Sequence, residues 1–131
     1  MQITRQADYA LRTVVYLAGK PPEYRAATYV IAREKQIPTS FLAKIISQLC
    51  IAGLISTTRG AHGGVCLARP ANSISVLEVI EAIDGPIRLN ECTTNPSICP
   101  FIEECSMYDM WCDMRDELVS KLRETKLSQV A

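Results

Sequence analysis

Between residues 3 and 18 the apolar positions Ile3, Ala7, Ala10, Leu11, Val14, Leu17 and Ala18 fall on one stripe, as they do when side chains repeat at about 3.6 residues per turn. The pattern predicts an amphipathic helix capped by Thr4 or a neighbour and stopped by Gly19 and the Pro21-Pro22 pair. Asp8 falls at the border of the stripe, while Arg5 and Arg12 point away from it. Thr28 is placed to cap a short helix reaching about Lys35, which QIP at 36–38 breaks. A second helix follows, capped by Thr39 or Ser40, with Phe41, Leu42, Ile45, Ile46, Leu49 and Cys50 as its buried face and Gly53 as its end.

The period then changes from helix to strand. LISTTRG and VCLAR are rich in β-branched residues, and the AHGG between them supplies a glycine tip, so the three together predict a hairpin. Pro70, Asn72 and Ser73 end it. Ser75 opens a helix, SVLEVIEAID, that turns Val76, Val79, Ile80 and Ile83 inward before Gly85-Pro86 closes it. From about Cys105 the helical period returns, with Met107, Trp111, Met114, Leu118 and Leu122 in line and Tyr108, Cys112 and Val119 widening the arc. Asp109, Asp113, Asp116, Glu117 and Glu124 occupy the opposite side. So broad an apolar arc exceeds what one small domain covers, which predicts a dimerisation helix.

These elements describe a mainly α fold with a small β-hairpin. A helix pair followed at once by a glycine-tipped hairpin bearing Arg59 is the order of a winged helix-turn-helix: the second helix enters the major groove and the wing arginine probes the minor groove. The positions offered to DNA are Thr39, Ser40, Ala43, Lys44 and Gln48 on that helix, with Arg59 and His62 on the wing. Residues 1–84 form the winged region, 85–105 a cysteine-rich loop and 106–131 the dimerisation helix and tail, all in one structural domain.

Charge sharpens this picture. The formal net charge is zero, yet residues 1–70 carry nine Lys and Arg against three acidic residues, whereas the remainder carries five against eleven. A basic front and an acidic back point one face toward a polyanion such as double-stranded DNA. Nothing resembles a signal peptide or reaches the roughly 18–20 apolar residues of a membrane span, so a cytoplasmic protein without a membrane partner is expected.

Cysteine supplies the remaining chemistry. Cys92, Cys99, Cys105 and Cys112 are separated by six, five and six residues, and Asn95, Pro96, Ser97 and Pro100 forbid regular structure through the first half of that stretch. In a reducing compartment such a cluster points to soft metal chemistry, namely zinc, copper(I) or iron-sulfur, rather than to disulfides. Structural zinc favours closer pairs such as C-x2-C, and redox carriers favour ferredoxin or C-x-x-C spacing, neither of which is present. Those define the rival reading, a small cluster- or zinc-binding electron carrier without a DNA role, for which a wing and a basic half have no use. Cys50 and Cys66 are most simply buried small hydrophobes.

Taken together, MQITRQADYALR, IAREKQIPTSFLAKIISQLCIAGLI, RGAHGGVCLARP, ISVLEVIEAIDG and the cysteines at 92, 99 and 105 make a sequence that resembles the bacterial winged-helix repressor family of IscR, NsrR, RirA and CymR. The resemblance implies a non-enzymatic, homodimeric regulator with an iron-sulfur cluster, 4Fe-4S in preference to 2Fe-2S, held by Cys92, Cys99 and Cys105, and a sensitivity to iron, redox state or nitric oxide. IscR-like members complete the site with a histidine after the third cysteine, whereas here Ser106, Met107 and Tyr108 follow Cys105. NsrR-like members use an aspartate of the partner's first helix, and Asp8 stands at the matching position. Asp8 of the partner chain is therefore the favoured fourth ligand, with Cys112 as the alternative. Where this family's wing carries a proline, Ala61 stands here.

Overall fold

The computed structural model describes residues 2–131. Helix α1 (Arg5–Ala18) starts at Thr4, whose hydroxyl accepts from the Ala7 N–H at 3.1 Å and donates to Asp84, tying this end to the close of α4. Helices α2 (Thr28–Lys35) and α3 (Thr39–Ile51) follow as a pair. Their turn is tight because Gln36 adopts a left-handed backbone (φ 54°) and drops the buried Ile37 between them. Val14 and Leu17 of α1, Ile31 of α2 and Leu42, Ile45 and Leu49 of α3 meet in the main core. Each large aliphatic side chain so enclosed contributes about 1.5–3 kcal/mol.

Strands β1 (Ile55–Thr58) and β2 (Gly64–Leu67) pair antiparallel, with Ile55 opposite Leu67 and Thr58 opposite Gly64. The hairpin is tied to the helical body along its other edge. Ala26 and Val65 exchange backbone hydrogen bonds of 2.9 and 2.7 Å, and Arg25 donates to the Thr58 hydroxyl at 2.7 Å. Gly64 permits this approach: its φ is +149°, and a Cβ there would lie 2.8 Å from the Ala26 carbonyl oxygen.

Helix α4 (Val76–Asp84) opens on a capping box, in which Ser75 accepts from the Glu78 N–H at 3.1 Å and Glu78 accepts from the Ser75 N–H at 2.8 Å. Its Leu77 and Ile80, with Ile87, form a second apolar cluster against Leu118, Val119 and Leu122 of α5 (Tyr108–Glu124). The chain then returns to its own front half through α6 (Leu127–Val130). Leu127 is fully buried in the main core, its N–H donates to the Ile74 carbonyl at 2.9 Å, and the Val76 N–H donates to Thr125 at 2.9 Å.

The winged helix-turn-helix expected from the pattern is the observed architecture, with several local departures. Ala27 and Pro38, not Thr28 and Thr39 or Ser40, occupy the cap positions of α2 and α3, because Thr28, Thr39 and Ser40 already lie within the helices and make no capping bond. Ile3 lies outside α1 and is exposed. Phe41 is exposed on the rim of α3, leaning on the Tyr9 ring 6.2 Å away, since the inward stripe runs through Leu42, Ile45, Ile46 and Leu49. Leu77 takes the buried place expected for Val76 and Ile83, which are only half-buried. The first half of the cysteine stretch is not wholly irregular: Glu91–Thr93 and Pro96–Ile98 make short 3-10 turns, the second with proline at its start, where the missing N–H costs nothing. Helix α5 begins at Tyr108 rather than Cys105.

Candidate functional site

Two surfaces carry the residues singled out by the sequence. On the first, α3 presents Thr39, Ser40, Ala43 and Lys44 as exposed side chains. Gln48 differs from them. It is half-buried, and its Oε1 is enclosed without a hydrogen-bond partner, the one such side-chain atom among the described residues. Arg59 and His62 stand exposed in the turn that joins β1 to β2. The sequence did not mark Arg25, whose hydrogen bond to Thr58 braces the wing, or Tyr29, which is 67% exposed on α2. An aromatic ring left in water beside a helix-turn-helix is the only signal that could have singled out Tyr29.

The second surface is the thiol segment. All six cysteines are free; Cys92, Cys99 and Cys112 are half-buried and Cys105 is exposed. The turn carrying Cys92 packs on α5. Arg115 of α5 fixes its approach by donating Nε–H to the Ile87 carbonyl at 2.7 Å. Cys112 lies one turn into α5 beside Tyr108. That phenol is pushed above its ordinary range, first by its hydrogen-bonding neighbour Cys112, then by burial and by the charges of Cys112, Cys92 and Asp109. The turn carrying Cys92 thus sits against the helix that carries Tyr108 and Cys112, a packing that spacing alone did not reveal. Among the described residues no three His, Cys, Asp or Glu side chains converge as a single metal ion would require.

Asp8 stands apart from these thiols within the chain. It is half-exposed on α1, lines an open groove with Thr4, Arg5 and Tyr9, and is held by Arg12 at 2.6 Å. Of the two isolated cysteines, Cys50 is half-buried against the main core. Cys66 is buried but not merely apolar in its contacts: Arg25 donates to its sulfur at 3.4 Å and the Ser56 hydroxyl lies 3.2 Å away. No helix among the described residues is long and apolar enough to cross a membrane.

Comparison with known proteins agrees with this geometry. The Rrf2 family model, described as an iron-dependent transcriptional regulator, matches residues 3–131. The sequence is 32% identical over 131 residues to an HTH-type transcriptional regulator of Mycobacterium tuberculosis, covering all of this chain and 81% of that one. It is 35% identical over 108 residues to protein aau3 of Rhizobium meliloti, covering 82% of this chain and 70% of the relative. Among solved structures it is similar to CymR, the global cysteine regulator of B. subtilis, with 26% identity, a TM-score of 0.83 and coverage of 100% and 96% of the two chains. The fold is shared with T. potens IscR as well, at 22% identity and a TM-score of 0.76 over 99% of this chain and 85% of that one.

Proposed function

Because the chain belongs to the Rrf2 family of transcriptional regulators and is not an enzyme, we propose that it is an operator-binding repressor, active as a homodimer, whose DNA affinity is set by an iron-sulfur cluster on Cys92, Cys99 and Cys105. The observation that carries the reading is that Cys92, Cys99, Cys105 and Cys112, all free, fall in one stretch whose first turn packs on α5. The donor set fits. Thiolates are soft ligands of the kind iron-sulfur clusters take, and none is locked in a disulfide. Bound there, the cluster, 4Fe-4S in preference to 2Fe-2S, supplies a redox- and ligand-sensitive centre.

This chain's residues divide the remaining work. The exposed start of α3, with Thr39, Ser40, Ala43 and Lys44, enters the major groove, while Gln48 lies deeper along the same helix. Arg59 and His62 on the wing reach the neighbouring minor groove. Met110 and Met114, exposed along α5 in the single chain, supply the apolar contact between copies. That contact sets the spacing of two α3 helices against successive major grooves about 34 Å apart. Any change in how the thiol segment sits on α5 is therefore felt in that spacing. Asp8 of the partner completes the site, for which it must leave Arg12; Cys112 is the competing ligand.

Anaerobic reconstitution followed by a duplex-DNA shift assay tests the proposal. A stable cluster without salt-dependent DNA binding in any cluster state would sink it. Lys44→Ala should weaken all sequences alike and flatten the salt slope by about one unit if Lys44 meets a phosphate. For the fourth ligand, an Asp8→Ala chain is paired with a chain carrying Cys92→Ala, Cys99→Ala and Cys105→Ala. Ligation across the dimer restores one complete site, since the intact thiols and the intact Asp8 then lie on different chains. Recovery of labile cluster alone, with a damaging Cys112→Ala, moves the assignment to Cys112.

A further inference from the structure

A cavity of about 560 Å³ lies between the end of α1, the loop after it, the foot of the wing and α6. Neither the thiol segment nor α3 contributes to its lining. Its size falls within the roughly 300–1,000 Å³ typical of small-molecule sites. Leu17, Pro21, Pro22 and Leu67 give it apolar walls, and the only charged groups in its lining, Lys20 and Arg69, are both positive.

Those two charges are held in place yet incompletely used. The Lys20 ammonium stands 4.9 Å from the centre of the Tyr16 ring and 5.4 Å from that of Tyr24, and it makes no ion pair among the described residues. Arg69 is anchored through one nitrogen only: Nη2 donates to the Ser73 carbonyl at 2.5 Å and to the Glu78 carboxylate at 3.0 and 3.2 Å. Its Nε and Nη1 donate to no protein group among the described residues. Tyr24 adds a hydroxyl 3.3 Å from that of Tyr16. The hydrogen bond with Tyr24, and then burial, push the Tyr16 phenol upward, so it stays neutral. The nearby carboxylates, Glu34 beside Tyr16 and Glu78 on Arg69, are outside the lining.

Apolar walls with two cations and no lining acid are complementary to an anion carried on an apolar body. We infer that this cavity binds a small aryl carboxylate, its carboxylate taken by Lys20 and the free edge of Arg69 and its ring seated against Leu17, Pro21 and Leu67. The occupant would join the foot of the wing to the body of the domain, giving the regulator a second input independent of the thiols.

The probe is phenylacetate, titrated into the labelled full chain and followed by amide NMR, with phenylacetamide and acetate as controls. Saturable shifts confined to residues 17–24, 67–72 and 128 are expected, with phenylacetamide about tenfold weaker, the size of one charge-assisted hydrogen bond. Acetate should give no saturable response. Lys20→Gln, an exposed substitution outside any helix, should keep the spectrum of the fold and reduce the preference for carboxylate over amide, the remainder being held by Arg69. The inference is overturned by unsaturable shifts, by equal affinity for the amide, by an equal response to acetate, or by a Lys20→Gln chain that prefers the carboxylate as strongly as the wild type does. Each of these outcomes leaves the cluster reading untouched.

Discussion

Glu78 joins the cap of α4 to the chain that leads into it. Burial by itself would raise its pKa, but the Ser75 backbone N–H and the Arg69 guanidinium outweigh that effect and hold the carboxyl below its ordinary 4.5. A group depressed in the folded state stabilises the fold at pH values above its unfolded pKa, and the contribution is lost as pH falls through the folded value. Both partners are 39% exposed, so solvent screens the pair and about 1 kcal/mol is a fair expectation. Glu78→Gln should therefore lower Tm by several degrees near pH 7, and the gap between wild type and variant should narrow in thermal scans as pH falls below 4.5. A gap that stays constant across that range would assign the effect to packing instead.

The wing depends on a contact made far from its tip. With Ala26 backbone against β2, Gly64 has no room for a side chain, and its φ of +149° is one that other residues rarely adopt. Gly64→Ala should cost about 1–3 kcal/mol and weaken operator binding while the helical circular dichroism remains. Undiminished DNA affinity would show that the wing contributes little. The sequence showed this hairpin through its β-branched strands and glycine tip, but Gly64 there marks only a turn. Its closeness to Ala26 is a contact across 38 residues, as the numbering shows, and no local pattern encodes it. The helix caps divide in the same way. Thr4 and Ser75 were legible because a capping hydroxyl precedes each apolar run, whereas Ala27 and Pro38 cap by backbone alone. In the thiol segment the spacing pointed to soft-metal chemistry, whereas the packing of the Cys92 turn on α5 is a tertiary contact that the spacing does not encode.

Helix α5 faces two ways. Leu118, Val119 and Leu122 are spent on α4, while Met110 and Met114 remain uncovered, Met114 at 47% exposure. Amphipathic spacing shows the width of the arc but not which part its own chain covers. If the uncovered part meets a second copy, Met114→Lys removes about 2 kcal/mol of apolar burial per copy and adds two facing charges. Sedimentation should then show a shift toward monomer, with helicity unchanged; a dimer as tight as wild type would place the interface elsewhere. The chain also comes back at Lys126 beside Ser75, where hydrogen bonds between Ile74 and Leu127 and between Val76 and Thr125 join the start of α4 to the segment after α5. Beyond α4, which stays in the main core through Val79, the stretch that carries the four clustered thiols is an excursion whose two ends are both anchored to that core. A single protease nick among residues 89–106 would sever the chain without freeing either piece, so a cut thiol segment stays attached to the helix-turn-helix.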